Sequence, residues 1–124
     1  MNKFGNKDKA AAPRPYIIAV DFDGCLCESC WPELGEPIPE VLAEIKHRQR
    51  EGCRVILWTC RVGKALAAAV DWCAAHGLVF DAVNDNLPEV KQAYDENPRK
   101  ITANEYWDDR AVRRGVRHGG AIWD

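Results

Sequence analysis

Tyr16-Ile17-Ile18-Ala19-Val20-Asp21-Phe22-Asp23-Gly24 is the stretch that decides how this chain reads. An apolar run stops abruptly at two carboxylates and a glycine. A short, β-branched run with apolar residues on both faces predicts a strand buried inside a parallel sheet. Ionised carboxylates at the end of such a strand are costly unless a cation or hydrogen-bond donors compensate them. Asp21 and Asp23 therefore read as chemistry, and the rest of the chain as the source of their partners.

The stretch just after this strand is a loop. Pro32, Gly35, Pro37 and Pro39 rule out a long helix between residues 24 and 39. A loop leaving the C-terminal end of a strand is where α/β sheets bind ligands. Trp31, alone of the five tryptophans, falls in it and is placed to contact a substrate. Pro39 then suits the first turn of a helix, Val41, Leu42 and Ile45 share one face, and Gly52 supplies the stop. Residues 54–59 make a second two-sided apolar strand ending in Thr59-Cys60-Arg61. Leu66, Ala69, Val70 and Cys73 recur at helical spacing over residues 63–76.

The second half is weaker in signal. Residues 78–83 predict a third strand, followed by turn chemistry in Asn84-Asp85-Asn86-Leu87-Pro88. Residues 89–98 are polar and read as a brief helix. Residues 101–107 predict a fourth strand that runs into Asp108-Asp109, and residues 121–123 a small edge strand. Strand–helix alternation of this kind predicts an α/β fold: an open, mostly parallel, Rossmann-like sheet with helices on both faces. Strand C-terminal ends then share one edge. Asp21/Asp23, Thr59, Asn84/Asp85 and Asp108/Asp109 converge there, although Asn84 and Asp85 also read well as plain turn residues.

The bulk properties set limits on function. The 124 residues, 47% hydrophobic and 29% charged, suit one globular domain over residues 15–124 behind a flexible polar arm at 1–14. A formal net charge of −2 argues against a general nucleic-acid binder. No apolar run reaches membrane-spanning length, and the N-terminal lysines precede no apolar leader segment. A cytoplasmic protein is expected. Six cysteines, three of them in Cys25-x-Cys27-x-x-Cys30, read first as reduced thiols acting as small hydrophobes. A zinc site or a labile disulfide within the cluster is the alternative.

In their order, these motifs resemble those of the haloacid dehalogenase-type (HAD-like) phosphohydrolases. Asp21-Phe22-Asp23-Gly24 after a strand resembles the first motif, and Leu57-Trp58-Thr59 the second. Lys100, or Arg99 beside it, falls where the basic third motif is expected, and Trp107-Asp108-Asp109 resembles the acidic fourth. The likeness spans residues 16–110. The short distance from the first motif to the next helix resembles members that have no cap domain. Cys25 departs from the Thr or Val usual at its position.

What the resemblance implies is a Mg²⁺-dependent phosphatase acting on a phosphorylated substrate. Asp21 would be the nucleophile, forming an aspartyl-phosphate, and Asp23 the general acid and base. The metal ligands would be the Asp21 carboxylate, the Asp23 backbone carbonyl and Asp109, with Asp108 in support or the two exchanged. Thr59, Lys100 and Gly24 would serve the phosphoryl group. Arg61 would reach a second anionic group of the substrate, or else be a surface charge. A capless site is open, which leaves room for a second copy of the chain to cover it. The alternative on the same fold is a non-catalytic module that binds a phospho-ligand or a partner.

Overall fold

The computed structural model describes residues 14–110. Four strands form one sheet: β1 (Ile17–Val20), β2 (Arg54–Leu57), β3 (Ala82–Val83) and β4 (Glu105–Trp107). Their order across the sheet is β3-β2-β1-β4, and every pairing is parallel. Three helices connect them: α1 (Pro39–Arg50), α2 (Gly63–Ala75) and α3 (Pro88–Tyr94). The arrangement is α/β and compatible with a Rossmann-like sheet. The anticipated arm and the 121–123 strand lie outside the described residues.

Strand alternation sorts the core into two layers. Ile18, Val20, Val55 and Leu57 point to one face and pack with Leu42 and Ile45 of α1 and Ala69 and Cys73 of α2. Ile17, Ala19 and Ile56 point to the other and pack with Leu87, Val90 of α3 and Ile101. Helices therefore cover both faces, two on one side and one on the other. This explains why β1 is apolar at every position: all four of its residues are buried. Cys25, Cys27 and Cys73 are buried among these side chains, whereas Cys30 and Cys60 are exposed.

Two strands are shorter than the sequence suggests, and side chains are the reason. Asp81 places its carboxylate Oδ2 2.7 Å from the Val55 N–H. A side chain thus fills the ladder position that backbone would have taken, and β3 starts only at Ala82. Asn104 does the same for β1, accepting the Ile17 N–H at 2.8 Å through Oδ1. The Tyr106 hydroxyl donates to the Ile101 carbonyl at 2.6 Å and accepts the Ala103 N–H. Residues 101–103 are thereby folded back onto β4 instead of extending it. Both edge strands end up very short, which limits edge-to-edge pairing.

Between β1 and α1 the chain makes isolated bridges, Asp23 with Cys27 and Cys27 with Pro37, and no helix. Among the described residues no helix is long and apolar enough to cross a membrane.

Candidate active site

The register of the sheet assembles the site. Val20 pairs with Leu57 on one side and Trp107 on the other. Just beyond, the Asp21 N–H donates to the Trp107 carbonyl and the Trp58 N–H to the Val20 carbonyl, both at 2.9 Å. The chain therefore leaves all three strands at one level, carrying Asp21, Thr59 and Asp108/Asp109 to a common edge. A crevice of about 410 Å³ opens there. Asp21, Asp23, Thr59, Arg61, Asp108 and Asp109 line it, with Ser29, Trp31, Cys60 and Arg110.

After Asp21 the chain turns tightly. The N–H groups of Cys25, Leu26 and Cys27 converge on the Phe22 carbonyl, and the Gly24 N–H donates to the Cys27 carbonyl. Phe22 is driven into the core while Asp21 and Asp23 stay at the crevice. Gly24 has φ of +80°, and a side chain built on it would collide with the Asp109 carboxylate. Gly24 does not itself line the crevice. Its lack of a side chain lets the Asp108-Asp109 segment close over the turn after Asp21.

Carboxylate oxygens of Asp21, Asp108 and Asp109 all lie within 4.8 Å of one another. Burial pushes the Asp21 carboxyl up to about 6, and the neighbouring Asp108, Asp23 and Asp109 charges push it the same way. The Phe22 N–H, donating to Asp21 Oδ1 at 2.7 Å, opposes this. The cluster thus repels itself. Hard oxygen donors at this spacing fit a small divalent cation, which would remove that repulsion. Asp21, Asp108 and Asp109 are the residues that would hold it.

Asp23 stands apart from the cluster. Arg61 Nε donates to its Oδ2 and Nη2 to its Oδ1, each at 2.8 Å. The same guanidinium donates to the carbonyls of Glu33 at 2.8 Å and of Pro32 and Ala65 at 3.4 Å. Arg61 is only 1% exposed. The Asp23 hydrogen bonds hold its proton more tightly than in a free arginine. The reading of Arg61 as a surface charge is replaced: it is a buried clamp on Asp23 in the wall of the crevice.

Thr59 is set by Asn84. The Thr59 N–H donates to Asn84 Oδ1 at 2.8 Å, and Asn84 Nδ2 reaches the Arg61 carbonyl at 3.4 Å. Asn84 adopts φ of +51°, a left-handed conformation that asparagine tolerates. Thr59 Oγ1 accepts the Arg61 N–H at 3.2 Å, which leaves its hydroxyl hydrogen for another acceptor. Asn84 thus stands behind the crevice and not in it. Asp85 is also elsewhere, ion-paired with Lys91 and bonded to Asn97 at 2.9 Å each.

Lys100 is not brought to the crevice. It is exposed and lies over the Tyr106 ring, 5.6 Å from the centroid. Arg110 lines the crevice where Lys100 was expected. Sequence reading missed Arg110, although its place directly after the Asp108-Asp109 pair was a usable signal. Ser29 and Cys60 carried no signal beyond lying next to loop residues already singled out.

The chain is similar to a solved structure from Bacteroides thetaiotaomicron, described as that of a conserved protein coded by a locus of that organism. The two are 41% identical, with a TM-score of 0.70, over 89% of this chain and 88% of the other. The chain belongs to that protein's family. No protein-family model matches the chain, and no curated protein does. The likeness covers nearly the whole length of both chains.

Proposed function

We propose that the crevice is the active site of a Mg²⁺-dependent phosphomonoesterase of the HAD-like type, with no cap domain. The observation that carries this reading is the Asp21–Asp108–Asp109 cluster, with oxygens within 4.8 Å, at the end of a buried strand. Asp108 and Asp109 are exposed and Asp21 is half-buried, so the cluster is open to a cation from solvent, and their charges on Asp21 are what a cation would offset. Bound Mg²⁺ would neutralise charge on the phosphoryl oxygens and relieve the cluster.

The chain's own groups divide the work. Asp21 attacks phosphorus through a carboxylate oxygen as the bond to the leaving alcohol oxygen breaks. Asp23, aimed by Arg61, gives that oxygen a proton. It then takes one from the water that attacks the aspartyl-phosphate, as the bond from phosphorus to Asp21 breaks. Thr59 donates its hydroxyl hydrogen to a phosphoryl oxygen, and Arg110 supplies the positive charge expected of Lys100.

A second reading, a non-catalytic module that binds a phospho-ligand, draws on one observation. Both oxygens of Asp23 already accept hydrogen bonds from Arg61. One assay separates the two. Purified protein with Mg²⁺ should release phosphate from para-nitrophenyl phosphate, and EDTA or Asp21→Asn should abolish release. Release that survives Asp21→Asn sinks the enzymatic reading, and binding of inorganic phosphate without any turnover favours the module.

A further inference from the structure

The Arg61 guanidinium lies over two aromatic rings, with its carbon 4.9 Å from the centroids of both Phe22 and Trp31. Phe22 is fully buried and meets Trp72 edge-on at 5.3 Å, whereas Trp31 is 60% exposed and lines the crevice. The three residues make a column from the core to the mouth of the site. Its outermost layer is an indole beside the acidic cluster. A single exposed aromatic ring is commonplace, but this one is fixed in an uncommon way. Arg61 bonds the carbonyls of Pro32 and Glu33, the two residues that follow Trp31, as well as the Asp23 carboxylate. One buried side chain thus both underlies the indole and holds the loop that carries it. A platform already ordered this way costs little further entropy when a ligand stacks on it.

We infer that Trp31 is the stacking platform for a flat aromatic group in the alcohol portion of the substrate, so that the preferred substrates are phosphate esters carrying a nucleobase or a phenol ring. The inference rests on the phosphomonoesterase reading for the position of the phosphate, at Asp21 and Thr59. It adds what that reading lacks, the chemical class of the leaving alcohol. Arg61 links the two halves, since it carries the indole on one side and aims Asp23 on the other.

The test uses two matched pairs of ligands. A nucleoside 5′-monophosphate and ribose 5-phosphate share the same ester linkage and differ in the base. Phosphotyrosine and phosphoserine differ in the ring and in the acidity of the leaving oxygen, so in that pair only the share of the preference lost in Trp31→Ala reports stacking. Stacking of one base on an aromatic side chain corresponds to a factor of about ten to a hundred on truncation to alanine. In the wild-type protein kcat/KM should favour the aromatic member of at least one pair by about that factor. The preference should collapse in Trp31→Ala and survive in Trp31→Phe. The pair that responds identifies the aromatic group as base or phenol. Equal rates within both pairs, or a preference unchanged in Trp31→Ala, overturn the inference. If no ester is hydrolysed, dissociation constants for the same four compounds, measured with Mg²⁺ by calorimetry, give the same comparison. A binding preference lost in Trp31→Ala then upholds the platform while the enzymatic reading falls, and no preference, or no binding, overturns the platform too.

Discussion

Arg61 holds Asp23 by two hydrogen bonds of 2.8 Å, and the arginine is almost completely buried. The group expected to move protons is thereby fixed in direction by a side chain two residues beyond Thr59. Arg61→Ala should cost about 3 kcal/mol of stability, because it leaves a carboxylate and backbone carbonyls without their donor. Arg61→Lys keeps the charge but not the fork, so it should retain most of the stability while kcat falls more than KM rises. Urea unfolding and steady-state kinetics on both variants check this. Equal loss of kcat and stability in the two variants would mean that the charge kept by lysine contributes nothing, and wild-type kcat in Arg61→Lys would mean that charge alone suffices.

Gly24 lies under the Asp109 carboxylate with positive φ. Gly24→Ala should therefore cost about 1–2 kcal/mol in stability through backbone strain. It should also displace Asp109 and raise the Mg²⁺ concentration needed for half-maximal activity. Thermal melts and a Mg²⁺ titration separate the two effects. A variant with a lowered melting temperature and an unchanged Mg²⁺ requirement would place Asp109 outside the metal site.

The acidic cluster should reveal a cation by stability alone. Saturating Mg²⁺ at a hundred times its dissociation constant is worth about 2.7 kcal/mol to a protein that binds it only when folded. In Asp108→Asn and Asp109→Asn this gain should shrink. The metal-free variants should be slightly more stable than wild type, because each removes a charge that repels Asp21. The residue whose loss shrinks the gain more is the better candidate for direct ligand. Melting temperatures that ignore Mg²⁺ in the wild type would argue against the site altogether.

Arg110 lines the crevice and Lys100 does not. Arg110→Ala should reduce kcat/KM for a phosphate ester by about a hundredfold to a thousandfold, the usual range for one charge-stabilising donor. Lys100→Ala should stay within about twofold. The opposite ranking would show that the 95–100 segment moves to the site when substrate binds.

Glu105 gives a pH dependence unconnected with the site. Hydrogen bonds from Arg48, at 2.6 Å, and from Tyr16 and Trp107 hold its carboxyl down at about 2. A depressed carboxyl contributes stability above its ordinary pKa, near pH 4.5, and loses it as the pH falls toward 2. The pair is partly exposed, so the contribution is about 1 kcal/mol after screening. Glu105→Gln should be less stable than wild type at pH 7 and nearly equal to it at pH 2.5. Denaturant midpoints at the two pH values measure the difference.

Residue order and polarity are enough to dictate the parallel α/β plan and the edge where the acids gather. Both follow from local rules: two-sided apolar runs make buried parallel strands, and polar residues that end such runs must share the C-terminal edge of the sheet. The short edge strands were not legible. Asp81 and Asn104 replace backbone ladder bonds with side-chain ones, and periodicity carries no trace of that. The placements of Arg61, Asn84 and Lys100 emerge only in three dimensions. A guanidinium read as a substrate contact or a surface charge is a buried clamp on Asp23. An asparagine read either at the crevice or as a plain turn residue stands behind Thr59, and a lysine at the expected sequence position rests on Tyr106 outside the site. Spacing along a chain tells which residues can reach an edge. Which of them point into the crevice depends on pairings across 20 to 40 residues, such as Asp23 with Arg61 and Thr59 with Asn84, and those contacts exist only once the strands have come together.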